Sequence, residues 1–400
     1  MMTKHELTIK VLERYLEADK GGKTRILDEF CALTGYNRKY AISKLRDYQL
    51  NEKDPTRKLT RIKKYGLDVQ RALIKIWKIC DCICSTRLHP YLPEIIAVLK
   101  RHGEIRLSGP TEAKLHMISR ATIDRILREA RKRESSKLRG TTRPGSLLKR
   151  EIPLRIGPWR EAAAGYGEID LVAHCGETTA GQYVNTLNYT DIATTWSERE
   201  AVLGKAQERV FNALRNISGR LPFPLRGIDS DNDSVFINNQ MLRYCQREKI
   251  VFTRSRPYKK NDNAHVEQKN WTTVRKIFGY IRMELEQQVA LMNKLYRGQL
   301  RDYTNFFQPS QKCQGKKRIG AKKVKEYDQA KTPYQRVLES KEVSQEIKEK
   351  LKAHYRKLNP VKLRREIETS LSKIYDLSQK QPLQWESSHS DAIMATPQQS

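Results

Sequence analysis

Asp170 stands inside an apolar, strand-like run, GYGEIDLVAHC (165–175), where few folds can accommodate an acid. A second run, PLRGIDSD (224–231), gives way to a polar turn at Asp231. Thirty-five residues, 232–266, then precede Glu267, which opens a helix after Asn261, Asp262 and Asn263. Spacings of four, three and four put Glu267 on one helical face with Trp271, Val274 and Phe278. An unpaired carboxylate on an apolar face is costly, so acids placed this way need partners. Hard divalent cations are such partners. They take oxygen ligands and keep several waters, so few carboxylates suffice.

The surrounding pattern defines a mixed α/β domain. Strands are expected at 165–175, 182–194 and 195–204, joined by turns at Gly176–Gly181 and near Asp191–Thr194. An amphipathic helix (205–217), the strand carrying Asp231, a helix (237–249) and a fifth strand (250–255) follow. Hairpin strands followed by crossovers give a five-stranded mixed sheet with flanking helices. Glu168 shares the strand parity of Asp170, and Asp229 that of Asp231, so each is the fallback for its neighbour. Asn232 and Phe236 favour Asp231. Asp191 reads as a turn residue, and His174 and His265 as packing or orienting groups.

The quoted residues resemble the catalytic core shared by bacterial insertion-sequence transposases and retroviral integrases, the DDE group with the ribonuclease H-like fold. The family pattern is an Asp on the first strand, an Asp in a D-N-G-S-x-F turn, and a Glu about thirty-five residues later after P-Y and V. This chain has Asp170, then Asp231-Asn232-Asp233-Ser234-Val235-Phe236, then Pro257-Tyr258 leading to Val266-Glu267. Asp233 stands where the family has Gly, and Val235 where Glu is common. The resemblance covers about 165–279. It implies that Asp170, Asp231 and Glu267 are catalytic and hold two Mg2+ ions, with Mn2+ able to substitute. It also implies cleavage and strand transfer on DNA (terminal inverted repeats and target DNA) by a homo-oligomer. A metal-dependent nuclease of the same fold and a catalytically impaired, transposase-derived DNA-binding protein are the alternatives.

Charge fits a polyanionic partner. The net charge is +31, and it is uneven. Residues 1–150 carry 35 Lys and Arg against 17 Asp and Glu, 151–305 carry 22 against 18, and 306–400 carry 20 against 11. Basic arms around a nearly neutral centre suit DNA, because neutralising phosphates releases counterions. Seven scattered Cys with no secretory signal predict reduced thiols in a cytoplasmic protein, nucleoid-associated when DNA-bound. Cys80, Cys82 and Cys84 lack zinc-ligand spacing. No apolar run reaches the roughly 18 residues a membrane span needs.

Two helix-turn-helix units are expected before the core. In residues 1–65, Ile26, Leu27, Phe30 and Leu33 face inward, Gly35 turns the chain, and 38–46 form a helix. That helix turns Ala41, Ile42 and Leu45 inward and Arg38, Lys39 and Lys44 to DNA. In 66–134, a helical pair around Trp77 precedes a second unit. There Ser119 caps a helix with Ile123, Ile126 and Leu127 inward and Arg120, Arg125 and Arg128 outward. Residues 135–164 read as a basic linker and 165–306 as the core. A basic C-terminal helical region (307–380), loop-rich at 312–328, and a disordered tail (381–400) follow. Lys259, Lys260 and Lys269 are expected to contact DNA phosphates.

Overall fold

The computed structural model describes residues 3–53, 64–134, 163–231, 233, 235–254, 266, 269–319 and 322–379. Glu267, Lys259, Lys260 and His265, most of the 135–164 linker and the 381–400 tail lie outside the described residues. The chain divides into two compact units, Met1–Lys64 and Tyr65–Ser400.

The first unit holds α1 (Lys4–Glu17), α2 (Lys20–Thr34) and α3 (Arg38–Lys53) around Val11, Leu12, Leu27, Phe30, Ala41 and Leu45. Gly35, at φ 71°, ends α2 in the left-handed conformation glycine favours. Two expected inward residues point out: Leu33 is 63% exposed and Ile42 43%. Ala41 and Leu45, four apart, already fill the contact face of α3, and Ile42 lies about 100° round the helix from Ala41.

The second unit begins with α4 (Leu67–Ile79), α5 (Ser85–Arg101), α6 (Gly109–His116) and α7 (Arg120–Glu134). Trp77 is buried among them and donates Nε1–H to the Ile83 carbonyl at 3.0 Å. Ile118, Ile123 and Leu127 are buried, and Ser119 caps α7 through Thr122 N.

The sheet follows. Its strands are β1 (Tyr166–Ala173), β2 (Val184–Asp191), β3 (Ser197–Leu203), β4 (Gly227–Ser230) and β5 (Val251–Arg254), in the order β3-β2-β1-β4-β5. The pairs β1/β2 and β2/β3 are antiparallel; β4 runs parallel to β1, and β5 to β4. A three-strand meander extended by two parallel strands is the ribonuclease H-like arrangement. The central strand β1 can pair so closely with β2 only because Gly167 has no side chain. A Cβ there would meet the Tyr189 ring at 2.2 Å.

The two faces differ. Ile169, Leu187, Tyr189, Val202 and Ile228 pack with α8 (Gln207–Ser218) and α9 (Asn239–Arg247). Val172 and Ala201, of the opposite parity, pack beneath α10, α11 and α12. Helix α10 spans 270–278; its first part, Asn270–Arg275, is π-helical and its end, Lys276–Phe278, α-helical. Residues 286–307 form two helices, α11 (Glu286–Arg297) and α12 (Gln299–Phe307), broken at Gly298.

The stretch 312–328, expected to be loop-rich, is an antiparallel ribbon of β6 (Cys313–Ile319) and β7 (Lys322–Tyr327). Charged residues crowd both strands, so no apolar alternation announced them. Helices α13 (Pro333–Glu339), α14 (Gln345–Lys357) and α15 (Pro360–Gln379) complete the unit. Their buried residues Tyr334, Val337, Leu351, Leu363 and Ile374 join the same core as α4, α11 and α12.

Candidate functional site

Register brings the two strand acids together. β1 and β4 pair Glu168 with Asp229 and Ile169 with Ser230, so the next step sets Asp231 opposite Asp170. Across β2, Asp170 pairs with Asn188, and Asn188 with Arg199 on β3. Directly paired residues share a face, so Arg199, Asn188, Asp170 and Asp231 form one polar row on that face.

Helix α10 meets that row at Asp170 and Asn188. Asn270 donates Nδ2–H to Asp170 Oδ2 at 2.5 Å, and its Oδ1 accepts from Asn188 Nδ2 at 2.8 Å. Asp170 Oδ1 accepts from Leu171 N at 2.8 Å. One row deeper, Glu168 is fully buried and accepts from the Val266 backbone N–H at 3.0 Å. Asp229, also fully buried, accepts from Thr253 at 2.5 Å. The two fallback acids therefore serve structural hydrogen bonds.

Asp231 follows β4 directly. Its Oδ1 accepts from Asp233 N at 3.0 Å, and its Oδ2 has no hydrogen-bond partner among the described residues. Burial raises its pKa, the Asp233 N–H lowers it in part, and the Asp233 charge raises it further. Asp233 itself is built into the turn. Its carboxylate accepts from Val235 N at 3.1 Å and faces Lys205 at 3.6 Å. The paired carboxylates fit a hard divalent cation: both offer oxygen, and Asp231 is half-buried beside the like charge of Asp233. Among the described residues no three His, Cys, Asp or Glu side chains stand close enough to share a metal. Glu267, the third predicted ligand, is not among them.

The other predicted residues fall in three places. On α3, Arg38 is exposed and paired with Asp28, Lys39 is exposed, and Lys44 is half-buried. On α7, Arg120, Arg125 and Arg128 are all exposed. Lys269, expected on the DNA-facing surface, is instead 8% exposed, and burial drives its pKa down to about 7. Trp271 was expected on the buried face with Val274 and Phe278, but it is 46% exposed while they are fully buried. The π-helical turn changes the phase on which that spacing rested, and such turns recur at functional sites.

His174 is fully buried at the end of β1. Its Nε2 meets the Thr186 hydroxyl at 2.9 Å, and desolvation drives its pKa down to about 3, so it is neutral and packs. Sequence reasoning missed Asn270 and Asn188. The only trace of Asn270 is that it lies three residues, nearly one turn, beyond Glu267.

No family model matches the chain. Over 328 residues, 82% of this chain and 93% of the other, it is 41% identical to the uncharacterized protein y4rM of Sinorhizobium fredii. Among solved structures, the catalytic core domain of BIV integrase covers 43% of this chain and 91% of that one, at 14% identity and a TM-score of 0.27. That superposition is too loose to bear on the fold, which rests on the strand order and register above. No helix among the described residues is long and apolar enough to cross a membrane.

Proposed function

The chain belongs to the family of the rhizobial protein y4rM, and we propose that it is a DNA transposase that cuts insertion-sequence ends and joins them to target DNA. The observation that carries this reading is the β1/β4 register, which sets Asp231, just past the end of β4, beside Asp170. Glu267 would complete the set. The residues flanking it, Val266 and Asn270, already bind Glu168 and Asp170.

Asp170, Asp231 and Glu267 would hold two Mg2+ ions, or Mn2+ in their place. When bound, such ions supply the Lewis acidity that activates an attacking oxygen and stabilises a leaving one. The protein's own residues set the geometry. Asn270, held by Asn188, fixes the Asp170 carboxylate. Asp233 N–H fixes one oxygen of Asp231 and leaves the other for a ligand. Lys205, close to Asp233, offsets the charge added where the family has Gly.

DNA would be gripped by the exposed arginines of α7 and the basic face of α3, with phosphate contacts setting register and base contacts setting sequence. Pairing two element ends calls for a homo-oligomer. We place the protein in the bacterial cytoplasm, on the nucleoid when DNA-bound.

The test is cleavage and joining of an oligonucleotide carrying the native element end, by wild type and Asp231→Ala, in Mg2+ and in EDTA. Mg2+-dependent joining lost in Asp231→Ala is the expected result. Cleavage without joining would make the protein a nuclease of the same fold. Binding without any chemistry in the wild type would make it a transposase-derived DNA-binding protein.

A further inference from the structure

A cavity of about 250 Å³ is lined by residues of α10, α12 and the loop between α4 and α5, and Asp170 is not part of its lining. Its charge is lopsided. Among the described lining residues, Arg87, Lys269 and Lys276 stand against one carboxylate, Asp81, and that carboxylate is already paired with Lys276. Lys269 is more than nine-tenths buried and has no acidic partner among the described residues. Among the described residues, the nearby charges acting on it, Arg199, Arg87 and Arg336, are all positive.

Arg199 deepens the imbalance. It is fully buried, donates weakly from Nη1 to the Thr304 hydroxyl at 3.4 Å, and leaves Nε and Nη2 without a hydrogen-bond partner among the described residues, although the Tyr296 ring and Glu198 offset its charge in part. Thr304 itself lines the cavity, as do Thr273 and Ser310. Buried cations are normally paired or hydrogen-bonded, because desolvating an uncompensated charge is expensive. Lys269, the buried cation that lines this hydroxyl-bearing cavity, has no such partner among the described residues, which describes a site built for an anion. The volume falls below the roughly 300–1,000 Å³ of pockets that take drug-sized ligands, so the anion is small.

We propose that this cavity binds a phosphate group, with Lys269 and Arg87 as its charged contacts and the hydroxyl lining as further donors. Guanidinium and ammonium groups are the usual phosphate partners. The site stands apart from the carboxylate pair and holds whether or not those carboxylates cut DNA. The group could come from free phosphate or from a DNA strand, and the two sources are separable.

The experiment is thermal unfolding in EDTA, where the carboxylates have no metal, with inorganic phosphate titrated against chloride at matched ionic strength. Wild type, Lys269→Met and Arg87→Ala are compared. Phosphate is expected to raise the wild-type midpoint by about 2–5 °C beyond chloride. Lys269→Met is expected to be at least as stable as wild type without phosphate, since a buried cation is gone, and to lose the phosphate response. Arg87→Ala, half-buried and so less prone to disturb folding, should weaken it. A parallel arm compares short oligonucleotides with a 5′-phosphate and a 5′-hydroxyl. A response to the phosphorylated strand and not to the free ion assigns the group to DNA. Identical behaviour of phosphate and chloride with no preference for the phosphorylated strand, or a full response in Lys269→Met, overturns the proposal.

Discussion

The Asn270 side-chain amide donates to Asp170 Oδ2 at 2.5 Å while its oxygen is held by Asn188 at 2.8 Å, so α10 is latched to the sheet through the proposed metal-binding carboxylate. Groups that orient a ligating carboxylate typically change metal affinity or activity by 10–100-fold when removed. Asn270→Ala is therefore expected to lower Mg2+-dependent cleavage about 10–100-fold. Asn270→Asp sets a like charge against Asp170 and is expected to be worse than Ala. Single-turnover cleavage of an element-end oligonucleotide reads both, and wild-type rates in Asn270→Ala would remove the latch from the mechanism.

The sequential order of strands and helices could be read from the chain because turns bound the strands, and Asp170 and Asp231 stood out where acids interrupt or end largely apolar runs. The buried set on α8 was equally plain from its 3.6-residue period. What could not be read is what depends on neighbours distant in sequence. Asn188 and Arg199 look like ordinary strand residues until pairing sets them in one row with Asp170. Lys269 reads as a surface cation because nothing local marks its burial beneath α12. The π-helical turn at Asn270–Arg275 shifts the helical phase, which is why Trp271 was placed on the wrong face. The β6–β7 ribbon escaped because its strands present charge rather than an apolar alternation.

Glu198 anchors β3, an edge strand of the sheet. It is fully buried and accepts from Trp196 Nε1 at 2.9 Å, Arg301 Nε at 2.7 Å and Arg220 Nε at 3.4 Å. Removing one member of a buried ionic group leaves the others uncompensated, at a cost of about 3–5 kcal/mol. Glu198→Ala should destabilise the second unit by about that much in urea unfolding. Lys331→Ala, which breaks the exposed pair with Glu339, should cost no more than about 1 kcal/mol.

Asp191 supplies a pH signature. It is fully buried at the end of β2 and accepts from Thr194 N, Thr194 Oγ1 and Gly165 N at 2.7, 2.6 and 2.8 Å. Burial nevertheless outweighs these bonds and raises its pKa from 3.8 to about 6. The folded state thus holds a proton that the unfolded state has lost between those values. The resulting stabilisation is full below about pH 4 and fades as pH rises through about 6, an effect on the order of 3 kcal/mol. Asp191→Asn cannot titrate. The stability difference between wild type and this variant, followed by denaturant unfolding from pH 4 to 7, should shift against the wild type as pH rises. A pH-independent difference would show that the group keeps its ordinary pKa.

The exposed face of α7 separates cations available to DNA from one already engaged. Arg131 is tied to Asp124 at 2.7 Å, and Asp124 in turn accepts from Ser85 at 2.7 Å. Arg128 is exposed, and Arg125 is exposed with one donor resting on Thr122 at 2.9 Å. Each phosphate contact contributes about one unit to the slope of log affinity against log salt. Arg125→Ala and Arg128→Ala should each weaken binding to the element end and lower that slope by about 1. Arg131→Ala should leave the slope nearly unchanged, because its charge is spent on Asp124. If Arg125 reads a base edge instead of a phosphate, its removal will relax sequence preference at one position by about 1–3 kcal/mol, and the salt slope will hold. Fluorescence anisotropy at several salt concentrations, on native and single-substituted ends, distinguishes these cases. Equal slopes for wild type and both exposed-arginine variants, with sequence preference intact, would show that α7 does not meet DNA through this face.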